Sequence, residues 1–499
     1  MTRLNHLYGK ASLLFASISC MIGSGWLLSA QLSYQLAGAG AVYSWILGSG
    51  IILVFAFCFS AVAIKLPITG GIGRYIAITH GNDPSYLIAW LAWLSCVAVA
   101  PTEVRTIMLY ANELSSYIPL FINNQLTVYG GIVAILLMIV MTGINLKGIK
   151  LLIRCNQYIA LWKLTIPLVI ALYIGSHGIN WSHFSSSSQL IATPHGWQGV
   201  FEALSTVVVF SFLGFREVSS LAGETKNPQK SIPFAIITSV AFCTFAYLLF
   251  QIIYIGAMPD PNVMSSNEYG PWAYLAKRLG LTWIQLLLYI DLIISPGGAG
   301  IMYTATTSRL TYAMANINAL PKRLSKLNRF SVPHESLLFN CVFGCLLIPY
   351  SWESLVKFQS VILIVAYLAG PLALYSVCKP QERNHKLLAV ASVILCNFII
   401  LWSGWHTFSI ILICSMLLLL LKAILHRSLE NTTWFIIHMI IMGIILALSP
   451  FQGIFPIFSH AFSHALVVIT SFGLLLWSKK AASDEKTILN RLDKIIQQE

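Results

Sequence analysis

Residues 127–142 and 407–421 are unbroken apolar runs without one charged side chain. A helix that crosses a bilayer needs about 20 mostly apolar residues, and every backbone polar group in it must be bonded internally. Runs of this kind recur along the whole chain. A soluble protein carries about 25% charged residues, mostly on its surface, whereas this chain has 9% charged and 57% hydrophobic residues. The solvent around most of it must be lipid. An outer-membrane barrel would show ten-residue alternating strands instead. The expected fold class is an all-α integral membrane protein.

The apolar periods place spans at 11–33, 40–64, 84–118, 127–145, 150–175, 196–222, 232–256, 283–316, 336–352, 356–377, 387–404, 406–424, 433–449 and 458–478. That is about fourteen, with twelve to fourteen as the range. The first apolar run reads as a span, not as a cleavable signal peptide, because no small-residue cleavage site follows it. Short cytoplasmic loops carry the excess of lysine and arginine. With the N-terminus inside, and basic residues toward a span's end counted with the adjoining side, the outside holds only Lys277, Arg278 and Lys357, and Arg105, Lys163 and Arg216 remain inside spans. The rest of the 30 basic residues fall inside. The net charge of +13 therefore expresses topology, and no nucleic-acid partner is needed to explain it. The expected location is the inner (plasma) membrane, multi-pass, with both termini cytoplasmic. The tail 479–499 is polar, and Ile488, Leu489, Leu492, Ile495 and Ile496 share one face of a short surface helix.

The ten cysteines form no C-x-x-C pair and read as small buried hydrophobes. The histidines show no metal-binding spacing, and no metal or organic cofactor is expected. Gly70-Gly71-Ile72-Gly73 lacks the preceding strand and following G-K-S/T of a phosphate loop, so it reads as a turn at the membrane edge.

Two spans carry interruptions. Span 1 contains Ile22-Gly23-Ser24-Gly25-Trp26, and span 6 contains Phe210-Ser211-Phe212-Leu213-Gly214-Phe215. They lie about 190 residues and five spans apart. Irregular backbone at membrane depth is tolerated where it lines a cavity. Paired broken helices at matching positions point to a transporter binding site, and their half-helix N-termini suit a carboxylate. Either break alone is equally readable as a glycine kink for helix packing.

These stretches also carry a family resemblance over nearly the whole chain. Gly23-Ser24-Gly25, then Leu66-Pro67-Ile68-Thr69-Gly70-Gly71, then Phe212-Leu213-Gly214-Phe215 leading into Ala222-Gly223-Glu224-Thr225-Lys226-Asn227-Pro228, then Thr307-Ser308-Arg309-Leu310-Thr311-Tyr312-Ala313-Met314 before Leu320-Pro321, follow one another in order. Together they resemble the amino-acid/polyamine/organocation transporter superfamily. Gly73-Arg74-Tyr75 with Thr79-His80-Gly81, Asp291-Leu292-Ile293-Ile294-Ser295-Pro296-Gly297-Gly298 and Trp402-Ser403-Gly404-Trp405 resemble the aspartate–proton symporter group.

The resemblance implies a leucine-transporter-like fold of five plus five inverted repeats, residues 1–175 and 196–377, with accessory spans in 387–478 and a cytoplasmic tail in 479–499. It implies alternating access, with spans 1, 2, 6 and 7 rocking against a scaffold. Backbone N–H groups of Ser24 and Gly25, beside Gly23, would hold the substrate carboxylate. Carbonyls around Ile22, Phe210 and Phe212 would hold its ammonium, with Ser211 and Gly214 in the second break. Phe210 resembles an aromatic lid. Arg216 stands just past Gly214-Phe215 where many members carry an acid, which puts acid-based gating there in doubt. It either docks an acidic substrate side chain, pairs with Glu202 or Glu103, or serves as a gate.

Ionisable groups inside spans are costly and mark function. Lys163 lies where, by resemblance, a lysine replaces the sodium ion of sodium-coupled relatives, and it reads as a proton carrier or as a fixed cation bracing span 1. Glu103 is a proton carrier or a counter-ion. Asp291, near the broken stretch Ser295-Pro296-Gly297-Gly298, is a proton site or a packing acid. Glu202 sits near the outer end of span 6. The expected function is proton-coupled uptake of an amino acid, acidic first, with sodium less favoured. An antiporter of the same fold is the alternative, and a passive channel or an intramembrane enzyme is the remote one. Sequence leaves the oligomeric state open.

Overall fold

A computed structural model describes residues 8–68, 71–114, 119–122, 125–146, 149–185, 196–258, 270–426 and 432–498. Thr69, Gly70, Lys147, Arg3 and Arg427 lie outside the described residues, as do the side chains of Lys150, Arg154, Cys155 and Ile496.

The described residues are helical almost throughout, with one antiparallel pair of two-residue strands among them, β1 (Phe121–Ile122) and β2 (Gln125–Leu126). The helices are α1 (Lys10–Met21), α2 (Ser24–Ala37), α3 (Ala41–Lys65), α4 (Gly71–His80), α5 (Asn82–Leu114), α6 (Val128–Leu146), α7 (Ile149–Ser176) and the short α8 (Ser182–Ser185). Then come α9 (Gly196–Ala203), α10 (Val209–Phe212), α11 (Pro228–Ala257), α12 (Pro271–Arg278), α13 (Thr282–Asn316), α14 (His334–Leu347), α15 (Trp352–Tyr367) and α16 (Ala369–Val377). The last five are α17 (Arg383–Trp402), α18 (Trp405–His426), α19 (Thr433–Leu448), α20 (His460–Ala481) and α21 (Glu485–Gln498).

Each of the spans read from the sequence coincides with one or two of these helices. Among the described residues, eleven helical stretches are long and apolar enough to cross a membrane, accompanied by the shorter apolar helices α1, α14 and α19. Helices α6 and α18 turn leucine, isoleucine and valine outward, as lipid-facing helices do. Helices α5 and α15 are enclosed, and their exposed area is small.

Two readings are corrected. Residues 71–73 open the buried helix α4, where a turn was expected. Gly71, at φ +52°, starts it with Ser219 close by, and Gly73 packs on Ala89 of α5. Small residues there let α4 pack closely on its neighbours. Span 8 is not broken at Ser295-Pro296-Gly297-Gly298; α13 runs through it. A proline removes one ladder bond, which neighbouring helices in a membrane protein can offset. Here Gly298 admits Lys163 and Ile159 of α7 against the helix. The tail forms α21 as expected, but only part of its apolar face meets the protein: Ile488 is buried and Leu489 points out. Arg491 ties the tail to α4 through the carbonyls of Ala77 (3.3 Å) and Ile78 (3.0 Å).

Candidate substrate and coupling site at the broken helices

Span 1 breaks between α1 and α2. Ile22 is extended (φ −90°, ψ 99°), and Gly23 (φ −140°, ψ −133°) turns the chain into α2 at Ser24. Gly23 is required by space: a Cβ there would sit 2.6 Å from Glu103 Oε1 and 2.8 Å from the Ala299 methyl.

Span 6 behaves differently. It passes from α9 through a π turn (Leu204–Val208) into α10, then tightens into a 3₁₀ helix over Leu213–Glu224. The expected unwinding is thus a change of winding, with Phe212 (φ −104°, ψ 1°) at the joint. A Cβ on Gly214 would strike the Cys20 backbone, so this glycine lets the 3₁₀ stretch lie directly on α1. Ser211 faces Gly25 and bonds Ser29 Oγ at 2.9 Å. The fold therefore brings the two interruptions into contact.

An acid fills the end of α2. The Ser24 N–H donates to Glu103 Oε2 at 2.7 Å and the Ser24 hydroxyl donates to Oε1 at 3.1 Å. The first turn of a helix offers unpaired N–H groups and the positive end of its dipole. Glu103 of α5 uses both. On the opposite half-helix, Lys163 Nζ donates to the Ser19 carbonyl at 2.8 Å, and the Tyr247 hydroxyl donates to the Met21 carbonyl at 2.7 Å. Two of the last carbonyls of α1 are thereby satisfied from α7 and α11.

Asp291 of α13 completes the cluster. It accepts from Trp26 Nε1 (2.9 Å) at Oδ2, and from Trp162 Nε1 (2.8 Å) and the Ser295 hydroxyl (2.6 Å) at Oδ1. Glu103, Lys163 and Asp291 are all buried, and both acids act electrostatically on the lysine. Two carboxyls face one ammonium. Isolated buried charge is expensive, and a cation buried with two carboxyls lowers that cost.

The remaining sequence-chosen residues fall as follows. Ile22 is buried at the break. Phe210 stands edge-on to Trp352 of α15, ring centroids 5.7 Å apart. Phe212 faces away, against Trp45 and Tyr247. Arg216 is not at the Ser24 amide. Its partner is neither Glu202 nor Glu103 but its neighbour Glu217, at 2.8 Å. Glu202 lies beside Lys357 (3.7 Å) and accepts from Gln452 (2.9 Å). Arg105 donates to the Ile348 carbonyl (3.4 Å) and lies over the Phe121 ring. Cys378, Glu382 and His385 come within 4.8 Å of one another, a grouping that their spacing did not suggest. The Lys65 ammonium already holds both Glu382 oxygens, at 2.6 and 2.8 Å.

Sequence reasoning missed Trp26, Trp162, Tyr247 and Ser295. Ser295 stands one helical turn after Asp291, Trp26 two residues after Ser24 on α2, and Trp162 next to Lys163 on α7; Tyr247 alone reaches the site from a helix that carries none of the chosen residues, α11.

Comparison with known proteins agrees with this architecture. A family described as amino acid permease matches residues 9–449. The chain is 30% identical over 516 residues to the glutamate/serine transporter AimA of Bacillus subtilis (strain 168), covering 96% of this chain and 95% of that one. It is 30% identical over 507 residues to the aspartate-proton symporter of the same organism, covering 95% and 96%. It is 25% identical over 426 residues to the branched-chain amino acid permease BcaP, covering 80% and 88%.

Proposed function

The chain belongs to the amino acid permease family, a family of transporters and not of enzymes, and on that premise we propose that it accumulates an acidic amino acid by proton symport. The coupling ion is the proton and not sodium. Substrate passes between the two broken helices, in a multi-pass protein of the inner membrane with both termini in the cytoplasm. Residues 1–175 and 196–377 act as the two inverted repeats, and 387–478 as accessory spans.

The observation that carries this reading is the Glu103 carboxylate on the Ser24 N–H. That amide, with Gly25, is where a substrate carboxylate would bind, and the ammonium would take carbonyls near Ile22, Phe210 and Phe212. Two carboxylates at one donor repel. Glu103 yields its place when it takes a proton, so substrate entry and protonation go together. Lys163 braces α1 through the Ser19 carbonyl. Loss of its charge would free the cytoplasmic half of span 1 to move. Asp291 holds the outer half of the same span through Trp26. Phe210, against Trp352, closes over the occupied site. The two relatives at 30% identity are named for aspartate and for glutamate with serine, which supports an acidic substrate.

The test is uptake of a radiolabelled amino-acid panel into proteoliposomes, under a proton gradient and separately under a sodium gradient. Accumulation of aspartate or glutamate with protons alone is the expected result. Accumulation of a neutral or basic amino acid instead would refute the acidic substrate. Transport only after internal preloading would replace symport by exchange.

A further inference from the structure

Two residues past Gly214, the chain sets an arginine beside a glutamate, and the fold buries both: Arg216 is 2% exposed and Glu217 1%. They share one hydrogen-bonded contact, Arg216 Nη2 to Glu217 Oε1 at 2.8 Å. Arg216 Nε and Glu217 Oε2 have no hydrogen-bond partner among the described residues. Buried polar atoms are rarely left so, and each one calls for an explanation.

Their position gives one. Arg216 Nη2 also reaches Cys96 Sγ of α5 at 3.3 Å. Cys96 precedes Glu103 by seven residues on that helix, about 10 Å along its axis. The displacement is toward the end that carries the basic loops. There α1 covers the 3₁₀ stretch, with the Ser17 hydroxyl on the Phe215 carbonyl at 3.5 Å. Tyr367 lies under the guanidinium, 5.3 Å from ring centroid to carbon. The pair thus stands directly beneath the Ser24 site.

It is not built as a latch. Arg309 of α13 and Glu224 join separate elements at 2.9 Å, and opening the cytoplasmic end would part them. Arg216 and Glu217 are consecutive, so they travel together. A buried ion pair is also not needed for stability, since apolar residues of similar volume serve as well or better. What the pair does present is one free cationic donor beside one free anionic acceptor. The head group of an α-amino acid carries the complementary charges, an ammonium next to a carboxylate. Guanidinium edges bind carboxylates well.

We propose that Arg216 and Glu217 form a second head-group station, on the cytoplasmic side of the Ser24 site, that receives the amino acid as it leaves. The substrate carboxylate takes the Arg216 edge and its ammonium takes Glu217 Oε2. In the closed state there is no room for it. The neighbouring cavity, lined by Cys96, Val97, Ala100, Met138, Thr307 and Asn340 among others, measures about 10 Å³, the space of one water. The station becomes available when α1 swings away. This rests on the reading that an α-amino acid crosses at Ser24.

The experiment compares apparent KM at the two faces of protein reconstituted in one orientation, using the amino acid that the wild type transports best. The double variant R216M/E217M keeps neutrality and near-native volume. It should raise KM for efflux from the cytoplasmic face at least tenfold and leave the outer KM within twofold. The reversed pair, R216E/E217R, restores both charges and should return the cytoplasmic KM to within about threefold of wild type. An unchanged cytoplasmic KM in R216M/E217M overturns the station, as does an equal rise at both faces. If one double variant does not fold, the other decides: a cytoplasmic KM raised tenfold in R216E/E217R, with an equal rise outside, likewise overturns it. Failure of the wild type to carry any amino acid would remove the underlying reading instead, and is read from the wild type alone.

Discussion

The Ser24 N–H donates to Glu103 Oε2 across 2.7 Å, so an acid from α5 occupies the N-terminal end of α2. The protein holds in place an internal carboxylate of the same chemistry as the carboxylate it is proposed to carry.

Glu103→Gln removes that carboxylate with little change of shape. Proton-driven accumulation should fall at least tenfold, while exchange of labelled for unlabelled substrate persists. The pH dependence of substrate binding, measured on purified protein, should flatten, because the group that competes for the Ser24 amide no longer titrates. Loss of binding at every pH would show that Glu103 only holds the fold.

Lys163→Ala removes the cation that faces both Glu103 and Asp291 and releases the Ser19 carbonyl. Accumulation against a gradient should be abolished. Normal accumulation by this variant would end its role in coupling.

Gly214→Ala places a methyl group on the Cys20 backbone. Backbone cannot rotate away as a side chain can, and overpacking of this kind costs about 1–3 kcal/mol. Thermal unfolding in detergent should shift down by several degrees. An unchanged midpoint would mean that span 6 does not lie on α1 as closely as described.

Glu224→Ala strips Arg309 of its buried partner. Removing one member of such a pair costs about 3–5 kcal/mol. The variant should be less stable, and its cytoplasmic half more accessible to thiol reagents at an introduced cysteine. A stability equal to wild type would contradict this.

Much of the fold was legible in the sequence because lipid imposes a long, simple apolar signal. The apolar helices were found this way. The break at Gly23 and the close approach at Gly214 were legible because glycine in a tight environment leaves a local mark, although span 6 changes its winding there where a break was expected. The winding of span 6 was not, since π, α and 3₁₀ turns share the same residues and differ only in which carbonyl each N–H selects. Nor were the partners. Trp26, Trp162 and Asp291 stand 129 to 265 residues apart in their bonded pairs, and no local pattern encodes such a meeting. Arg216 misled in the opposite way: partners were sought on distant spans, and its partner is the next residue.

The central claim is that proton movement and amino-acid movement are one event at the Glu103–Lys163–Asp291 cluster. The most direct test loads proteoliposomes with a pH-sensitive dye and adds aspartate or glutamate outside, with no sodium present. Lumenal acidification that begins with substrate and is absent in Glu103→Gln is the predicted result. Substrate accumulation with no accompanying acidification would contradict it.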